Sequence, residues 1–415
     1  MEKTKGKLHY AWLIVIAGCF LQGGSLGITF NAAGVFLQPV ADSIGCGRGD
    51  LALYMTLMAF VTALTMPLVG KWLPTKNINI LLTAATVICA IGYMLMSTYT
   101  HVWQWYITSV IMGASSAFLW FVPVPTMIRN WFAKKQGLAM GVATAFSGIG
   151  GAIFSPIFSN LIANVGWRKT YLIGGVISLI LTVPFTLFVV KFKPEDMGMK
   201  PYGYDENAAG AKVTRSTSGM SVERAAKNGL IVMILLIAGV MSLATSFSQH
   251  MSGLGASVGL SITAIGLIAS CSMLGNVAGK LILGSVNDKF GVKTTITVGF
   301  GLVIMACILM LVNGGNPVLL YVGAFFYGWG MSLTTICVPL IAGQMFGNKD
   351  FTKLYSYATM GNSIIGSCGI TICGKIYDAA GSYYPAIGFV MVAAIIAIPL
   401  IYAGLAKAKK VGFDD

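Results

Sequence analysis

Apolar stretches of about twenty residues, each able to cross the ~30 Å of hydrocarbon in a bilayer as a helix, recur along nearly the whole of this chain. Twelve can be drawn. The first six are Trp12–Leu37, Leu51–Trp72, Ile78–Thr98, Val102–Ile128, Leu138–Leu161 and Tyr171–Val190. The second six are Leu230–Leu254, Ile262–Val286, Thr294–Val312, Val318–Phe346, Leu354–Ile376 and Ile387–Leu405. Composition agrees: 56% of the 415 residues are hydrophobic and 10% are charged, against about 25% charged in a soluble domain. Such a chain in water would expose large apolar patches, so lipid is the solvent for most of it. The 51 glycines suit helices whose backbones pack closely in a bilayer.

A net charge of +14 would fit nucleic acid if the cations were clustered, but they alternate by loop. Of the 27 Lys and Arg, 22 fall in the N-terminus, every second loop and the C-terminus, four (Arg48, Arg168, Lys169, Lys375) fall in the other loops, and Lys280 falls inside a span. This bias places both termini in the cytoplasm of a multi-pass plasma-membrane protein and excludes a nucleic-acid partner. Cysteines such as Cys89, Cys271, Cys307 and Cys368 lie in apolar segments and read as small hydrophobes. His9, His101 and His250 are too scattered for a metal site, and the basic N-terminus leads into a long span without a cleavage site. No nucleotide-binding glycine loop or nucleophile–base pair is present, so no cofactor, metal or covalent chemistry is expected.

The two halves repeat. Gly70 and Gly284, Pro125 and Pro339, and Phe132 and Phe346 are each separated by 214 residues; Gly113 and Gly328, and Gly166 and Gly381, by 215. The polar stretch 191–229 separates the copies. The expected architecture is therefore an all-α membrane protein of twelve transmembrane helices in two pseudo-symmetric six-helix bundles, residues 1–190 and 230–415, joined by a cytoplasmic linker. Paired repeats of this kind are the architecture of alternating-access carriers, with the substrate at the repeat interface; a channel or a structural membrane protein is the alternative.

Lys280 stands out among the intramembrane polar groups. A lysine inside a span costs ~2.5–3.5 kcal/mol on insertion scales, and its repeat counterpart is Met66, so it is no scaffold feature. Ser272, Asn276 and Lys280 are spaced by four, which lines them on one helical face as the wall of an aqueous cavity; snorkelling toward the cytoplasm is the competing explanation. Similar stripes are Gln22, Ser25 and Thr29 in span one and Tyr355, Thr359 and Asn362 in span eleven. Trp120, Tyr327 and Trp329 lie mid-span, where they either cap a small anion or serve helix packing. No Asp or Glu lies mid-membrane, so a proton relay through intramembrane carboxylates is not expected.

Gly284-Ser-Val-Asn-Asp288-Lys289-Phe-Gly291-Val-Lys293 resembles the loop signature of the major facilitator superfamily, G-x-L-x-D-R-x-G-R-K. The resemblance implies a gating and stabilising role for Gly284, Asp288, Lys289, Gly291 and Lys293. The equivalent first-half loop, Gly70 to Asn77, lacks the acid. Arg129-Asn-Trp-Phe-Ala-Lys-Lys-Gln-Gly-Leu-Ala-Met-Gly141 and Pro194-Glu-Asp-Met-Gly-Met-Lys-Pro-Tyr-Gly203 are similar to segments of the monocarboxylate and oxalate–formate exchanger group. Phe36 to Pro39, Gly166-Trp-Arg168 and Tyr377 to Tyr383 also fit. In that group the exchanger's span-eight arginine falls eight residues before the loop aspartate, which here is Lys280; its span-eleven lysine corresponds to Asn362. One cation in place of two implies a monoanion rather than a dianion.

The expected function is thus secondary transport of small organic anions, monocarboxylates foremost, by exchange or proton linkage. The expected substrate contacts are Lys280, Asn362, Trp120, Tyr327, Trp329, Gln22 and Asn276; Arg129 belongs with the loop motif. The expected partners are a small carboxylate and the bilayer, with the chain a monomer. An exporter of amphiphilic compounds and a non-transporting substrate sensor are the rival readings. A cysteine introduced at Ser216, inside the linker, should resist an impermeant thiol reagent in sealed cells and react after permeabilisation; labelling in sealed cells would reverse the topology.

Overall fold

Inside hydrocarbon the backbone has no water to bond, so each crossing must satisfy its own N–H and C=O groups as a helix. The computed structural model describes residues 9–204, 218–260 and 262–414. The middle of the expected linker, 205–217 with Ser216, and the cations Lys3, Lys5 and Lys7 lie outside the described residues. Helix α1 begins as Tyr10–Leu21 and continues through a π-helix, Gln22–Asn31, into Gly34–Ile44. Then follow α2 (Arg48–Trp72), α3 (Ile78–Leu95), α4 in two pieces (Val102–Ala117 and Pro123–Trp131), α5 (Gln136–Val165) and α6 (Trp167–Pro184, ending in the π-turn Phe185–Val189). Beyond the linker, α7 is Leu230–Leu243, extended through Ser246–His250 to Met251–Ser257. Helices α8 (262–290) and α9 (292–311) are continuous except at Gly291; α10 is Pro317–Phe346, α11 Phe351–Ala380 and α12 Tyr384–Val411.

Nine stretches of the described residues are long and apolar enough to qualify as membrane helices on those grounds alone. One of them, Ser270–Leu311, is 42 residues long and holds two crossings, α8 and α9. The other two of the twelve are α4, interrupted at residues 118–122 ahead of Pro123, and α11, whose Ser, Thr, Gly and Asn residues dilute its apolar character. Three local expectations are corrected. The loop drawn between spans eight and nine is a single residue, Gly291, whose φ of 78° and ψ of 172° suit glycine alone. Span four is not one continuous helix, and the middle of span one is π-helical rather than α-helical.

The described chain forms two compact units, one of residues up to Thr62 and from Trp72 through the linker entry, the other of Ala63–Lys71 and the residues from 218 onward. Each is organised by glycine-mediated crossings. In the first, a Cβ on Gly113 of α4 would lie 2.6 Å from the Met58 carbonyl oxygen of α2, and one on Gly150 of α5 would lie 2.7 Å from the Gly23 oxygen of α1. In the second, a Cβ on Gly328 of α10 would overlap the Ser272 carbonyl of α8, and one on Gly275 would overlap the Phe325 carbonyl. The Gly113–Met58 and Gly328–Ser272 contacts are the same contact in two copies, displaced by 215 and 214 residues. Helices without side chains at the crossing gain van der Waals contact over the whole backbone, which is what holds helices together where lipid removes the hydrophobic drive.

The two ends of the linker are each fixed to a unit. At the entry, the Tyr202 N–H donates to the Trp131 carbonyl (2.8 Å) and the Ala133 N–H to the Tyr202 carbonyl (2.8 Å), with Trp12 and His9 packed edge-on to the Tyr202 ring. At the exit, Met220 N–H donates to Phe346 O (2.7 Å), Asn348 N–H to Ser218 O (3.0 Å) and Asp414 N–H to Gly219 O (3.0 Å). Asp414 then accepts from Lys349 Nζ (2.9 Å) and the Ser221 N–H (2.8 Å) and lies 3.5 Å from the Arg224 guanidinium.

Two predictions follow from these contacts. Gly328→Ala should lower the thermal stability of the purified protein by about 1–3 kcal/mol, the ordinary cost of overpacking. Gly301→Ala on α9, where a Cβ meets nothing within 4 Å, should be neutral or stabilising by up to ~1 kcal/mol; equal effects would dissolve the crossing argument. The second concerns Asp414, whose carboxyl the Lys349 hydrogen bond, aided by Ser221, holds down to about 2, below its usual 3.8. A depressed carboxyl stabilises above its unfolded pKa and loses that contribution as pH falls through the folded one. Protection of the 411–414 tail from proteolysis should therefore be level from neutral pH to about 4 and fail only near 2, whereas Asp414→Asn should expose the tail throughout.

Candidate functional site

The glycine crossing of α8 and α10 positions the most unusual side chains in the chain. Gly275 and Gly279 on α8 face Phe325 and Trp329 on α10, and a Cβ on Gly279 would sit 2.9 Å from the Trp329 Cα. The residue after each glycine is thereby pinned at the rim of the contact: Asn276 and Lys280. Ser332 Oγ donates to the Asn276 main-chain carbonyl (2.7 Å) and approaches its Oδ1 (3.2 Å), fixing the amide at the crossing. Ser272, one turn away, is buried, and Lys280 is only 4% exposed. Lys280 stands eleven residues before the break at Gly291, about 16 Å along the helix axis. At 4% exposure its side chain is enclosed by protein rather than extended to an aqueous surface, which argues against snorkelling. What results is a cation held inside the second unit beside a fixed amide, an arrangement that attracts an anion and supplies it with hydrogen-bond donors.

Trp329 lies on the same stretch of α10, with its indole Nε1 buried and without a hydrogen-bond partner, and Asn362 of α11 has a buried Oδ1 in the same condition. Tyr327 faces the other way. Its hydroxyl donates to the Ala244 carbonyl (2.9 Å) and accepts from the Phe247 N–H (3.2 Å), where α7 passes from α-helix to its 3-10 turn. Both hydrogen-bonding capacities of that hydroxyl are used by main chain, so Tyr327 ties α10 to α7 and does not present its hydroxyl to a ligand.

The first unit brings Gln22 and Trp120 together. Gln22 Nε2 donates to the Trp120 carbonyl (2.6 Å), freed by the interruption of α4, and Trp120 Nε1 donates to Ser25 Oγ (3.2 Å). Thr29 Oγ1 turns back to the Ser25 carbonyl (2.9 Å). All four side chains are buried. The π-helical stretch is tied to α6 as well, Ser178 donating to the Gly24 carbonyl (2.6 Å).

The loop-motif residues occupy the end of α8 and the start of α9. Gly284 is buried, Asp288 and Lys289 are exposed in the last turn of α8, and Gly291 makes the break. Lys293 Nζ lies 5.5 Å from the Tyr402 ring centroid of α12. Arg129 is half-buried in the last turn of α4, its carbonyl accepting from Gln136 Nε2 (3.4 Å). Sequence reading overlooked Ser332, Ser178 and the Gly275–Gly279 pair. The glycine pair was readable as small residues spaced by four; Ser332 and Ser178 carry no pattern that separates them from other membrane serines.

A profile of the Major Facilitator Superfamily matches residues 18–258 and 229–413. The MFS-type transporter pynF of Aspergillus niger is 23% identical over 68% of this chain and 62% of its own length. Human monocarboxylate transporter 14 is 24% identical over 53% of this chain and 41% of its own length. The chain thus spans less than two thirds of the length of these curated relatives. Among solved structures, the transporter FucP in its outward conformation superposes with a TM-score of 0.69 at 12% identity, over 95% of this chain and 99% of that one. With the profile covering nearly the whole sequence, this chain belongs to the Major Facilitator Superfamily of membrane transporters.

Proposed function

We propose that this protein carries small organic anions, monocarboxylates foremost, across the plasma membrane by alternating access, with Lys280 as the group that compensates the substrate carboxylate. The observation that carries the reading is a lysine only 4% exposed within the apolar helix α8. Lysine at such a place costs ~2.5–3.5 kcal/mol on insertion scales, and binding an anion is a function that explains retaining it. Asn276 at the α8–α10 crossing and the buried indole N–H of Trp329 on α10 offer donors, and Asn362 supplies an amide from α11. The buried Gln22–Trp120–Ser25 cluster gives the first unit a polar group of its own. Similarity to human monocarboxylate transporter 14 supports the carboxylate class. Both termini and the linker are placed in the cytoplasm by the cation asymmetry, and the chain acts as a monomer. Asp288 gates: an acid in the last turn of a helix opposes the macrodipole, a cost consistent with a role in switching rather than in helix stability.

The test is counterflow of labelled monocarboxylates in proteoliposomes. Lys280→Met should weaken affinity by about a hundredfold or more, since removing one partner of a desolvated charge pair costs ~3–5 kcal/mol. Lys280→Arg should retain partial transport, the charge surviving in a bulkier planar form. Asn362→Lys should shift preference from monoanions to dianions. Wild-type affinity in Lys280→Met would sink the reading and move the exporter of amphiphilic compounds to first place.

A further inference from the structure

At the end of the first unit where α3 begins and α6 finishes, the α2–α3 turn and the linker entry enclose a cavity of about 350 Å³, within the ~300–1,000 Å³ typical of small-molecule sites. Its lining combines Leu73, Ile78 and Phe192 with the polar residues Lys76, Asn77, Asn79, Lys191, Lys193 and Asp196. We propose that this cavity binds a phosphate-bearing anion, either the headgroup of an acidic phospholipid or free phosphate, through Lys76, Lys191 and Lys193.

The competing negative groups around the cavity are already engaged. The last carbonyls of a helix form its negative end, and here the Asn79 amide donates to the carbonyls of Thr186 (2.8 Å), Leu187 (3.1 Å) and Val190 (2.8 Å). Asp196, the one carboxylate in the lining, accepts from the Lys193 main-chain N–H (3.1 Å) and so closes the turn Pro194–Met197. Among the described residues no carboxylate lies within ion-pair distance of Lys76, Lys191 or Lys193. Three ammonium groups against one committed aspartate leave the cavity cationic.

The surroundings locate it at the edge of the hydrocarbon. Ile80, in the first turn of α3, is 67% exposed and Phe188, at the end of α6, is 72% exposed. Large apolar side chains this open belong in lipid, so the cavity mouth adjoins the depth at which phospholipid headgroups lie. Basic pockets between transmembrane helices at the cytoplasmic surface are suited to anionic headgroups. A ligand here bridges the α2–α3 turn to the linker entry, elements distant from Lys280 in sequence and in the other unit, so it is a site separate from the substrate's.

The experiment uses the purified full-length chain in neutral detergent, with bound lipid counted by native mass spectrometry. Three ligands are titrated: phosphatidylglycerol, phosphatidylcholine and inorganic phosphate. One phosphatidylglycerol should be retained in preference to phosphatidylcholine. The triple variant Lys76→Gln, Lys191→Gln, Lys193→Gln should weaken it by about a hundredfold, roughly fivefold per lysine, while the corresponding triple Lys→Arg variant retains it. Lys76→Gln alone, about fivefold weaker, preserves the test if the triple variant is unstable. Saturation by inorganic phosphate with displacement of phosphatidylglycerol would assign the site to free phosphate. If Lys407→Gln, Lys409→Gln, Lys410→Gln on α12 lowers lipid retention as much as the cavity variant, or if neither changes it, the lysines are an unspecific solvated surface and the proposal is overturned.

Discussion

Backbone-to-backbone contact at the helix crossings is the constraint from which the rest of the structure follows. Lipid tails are as apolar as leucine, so membrane helices gain nothing by hiding leucines from their surroundings. They gain by approaching closely enough for dispersion along the whole backbone, and only glycine permits the approach seen where Gly328 meets the Ser272 carbonyl and Gly150 meets Gly23. Each such contact fixes the rotation of two helices about their axes as well as their spacing. That rotation decides which side chains border the crossing, and it is how Asn276 and Lys280, each following a crossing glycine, come to be held where they are.

The two repeats share this frame and diverge in what they place on it. The α2–α4 contact of the first copy and the α8–α10 contact of the second coincide under one offset, yet the residue equivalent to Asn276 is Thr62, which donates to Met58 O (2.7 Å) and Gly113 O (2.9 Å) and closes its crossing. The residue equivalent to Lys280 is Met66. Among the described residues, this repeated scaffold therefore carries a buried cation in its second half and none in its first. Polarity in the first half sits instead at departures from regular α-helix, where Gln22 donates to the Trp120 carbonyl at the interruption of α4 and Ser178 to the Gly24 carbonyl in the π-helix of α1.

The linker follows the same economy of backbone pairing. Its entry pairs with the residues after α4 and its exit with those after α10, positions related by the internal repeat through Phe132 and Phe346. Side chains reinforce these seams differently: aromatic packing around Tyr202 in the first unit, and the charged cluster around Asp414 in the second.

The crossings themselves were legible in the sequence, because span length and apolarity answer to a single physical quantity, the thickness of the hydrocarbon. The repeat was legible because it recurs in residues such as Pro125 and Pro339 that punctuate helices. Lys280 was legible for the same reason: a charge in an apolar run is costly wherever the helix turns it. What the sequence could not supply was direction. Tyr327 and Trp329 are equivalent as mid-span aromatics, and only the packing against α7 decides that the tyrosine hydroxyl is spent on main chain while the indole N–H is not. The π-winding of Gln22–Asn31, the break in α4 and the grip of Ser332 on Asn276 depend on neighbours brought up from distant parts of the chain. Hydrophobicity is additive along a sequence and can be read from it; rotation about a helix axis is set by the partner helix, and only the tertiary structure decides it.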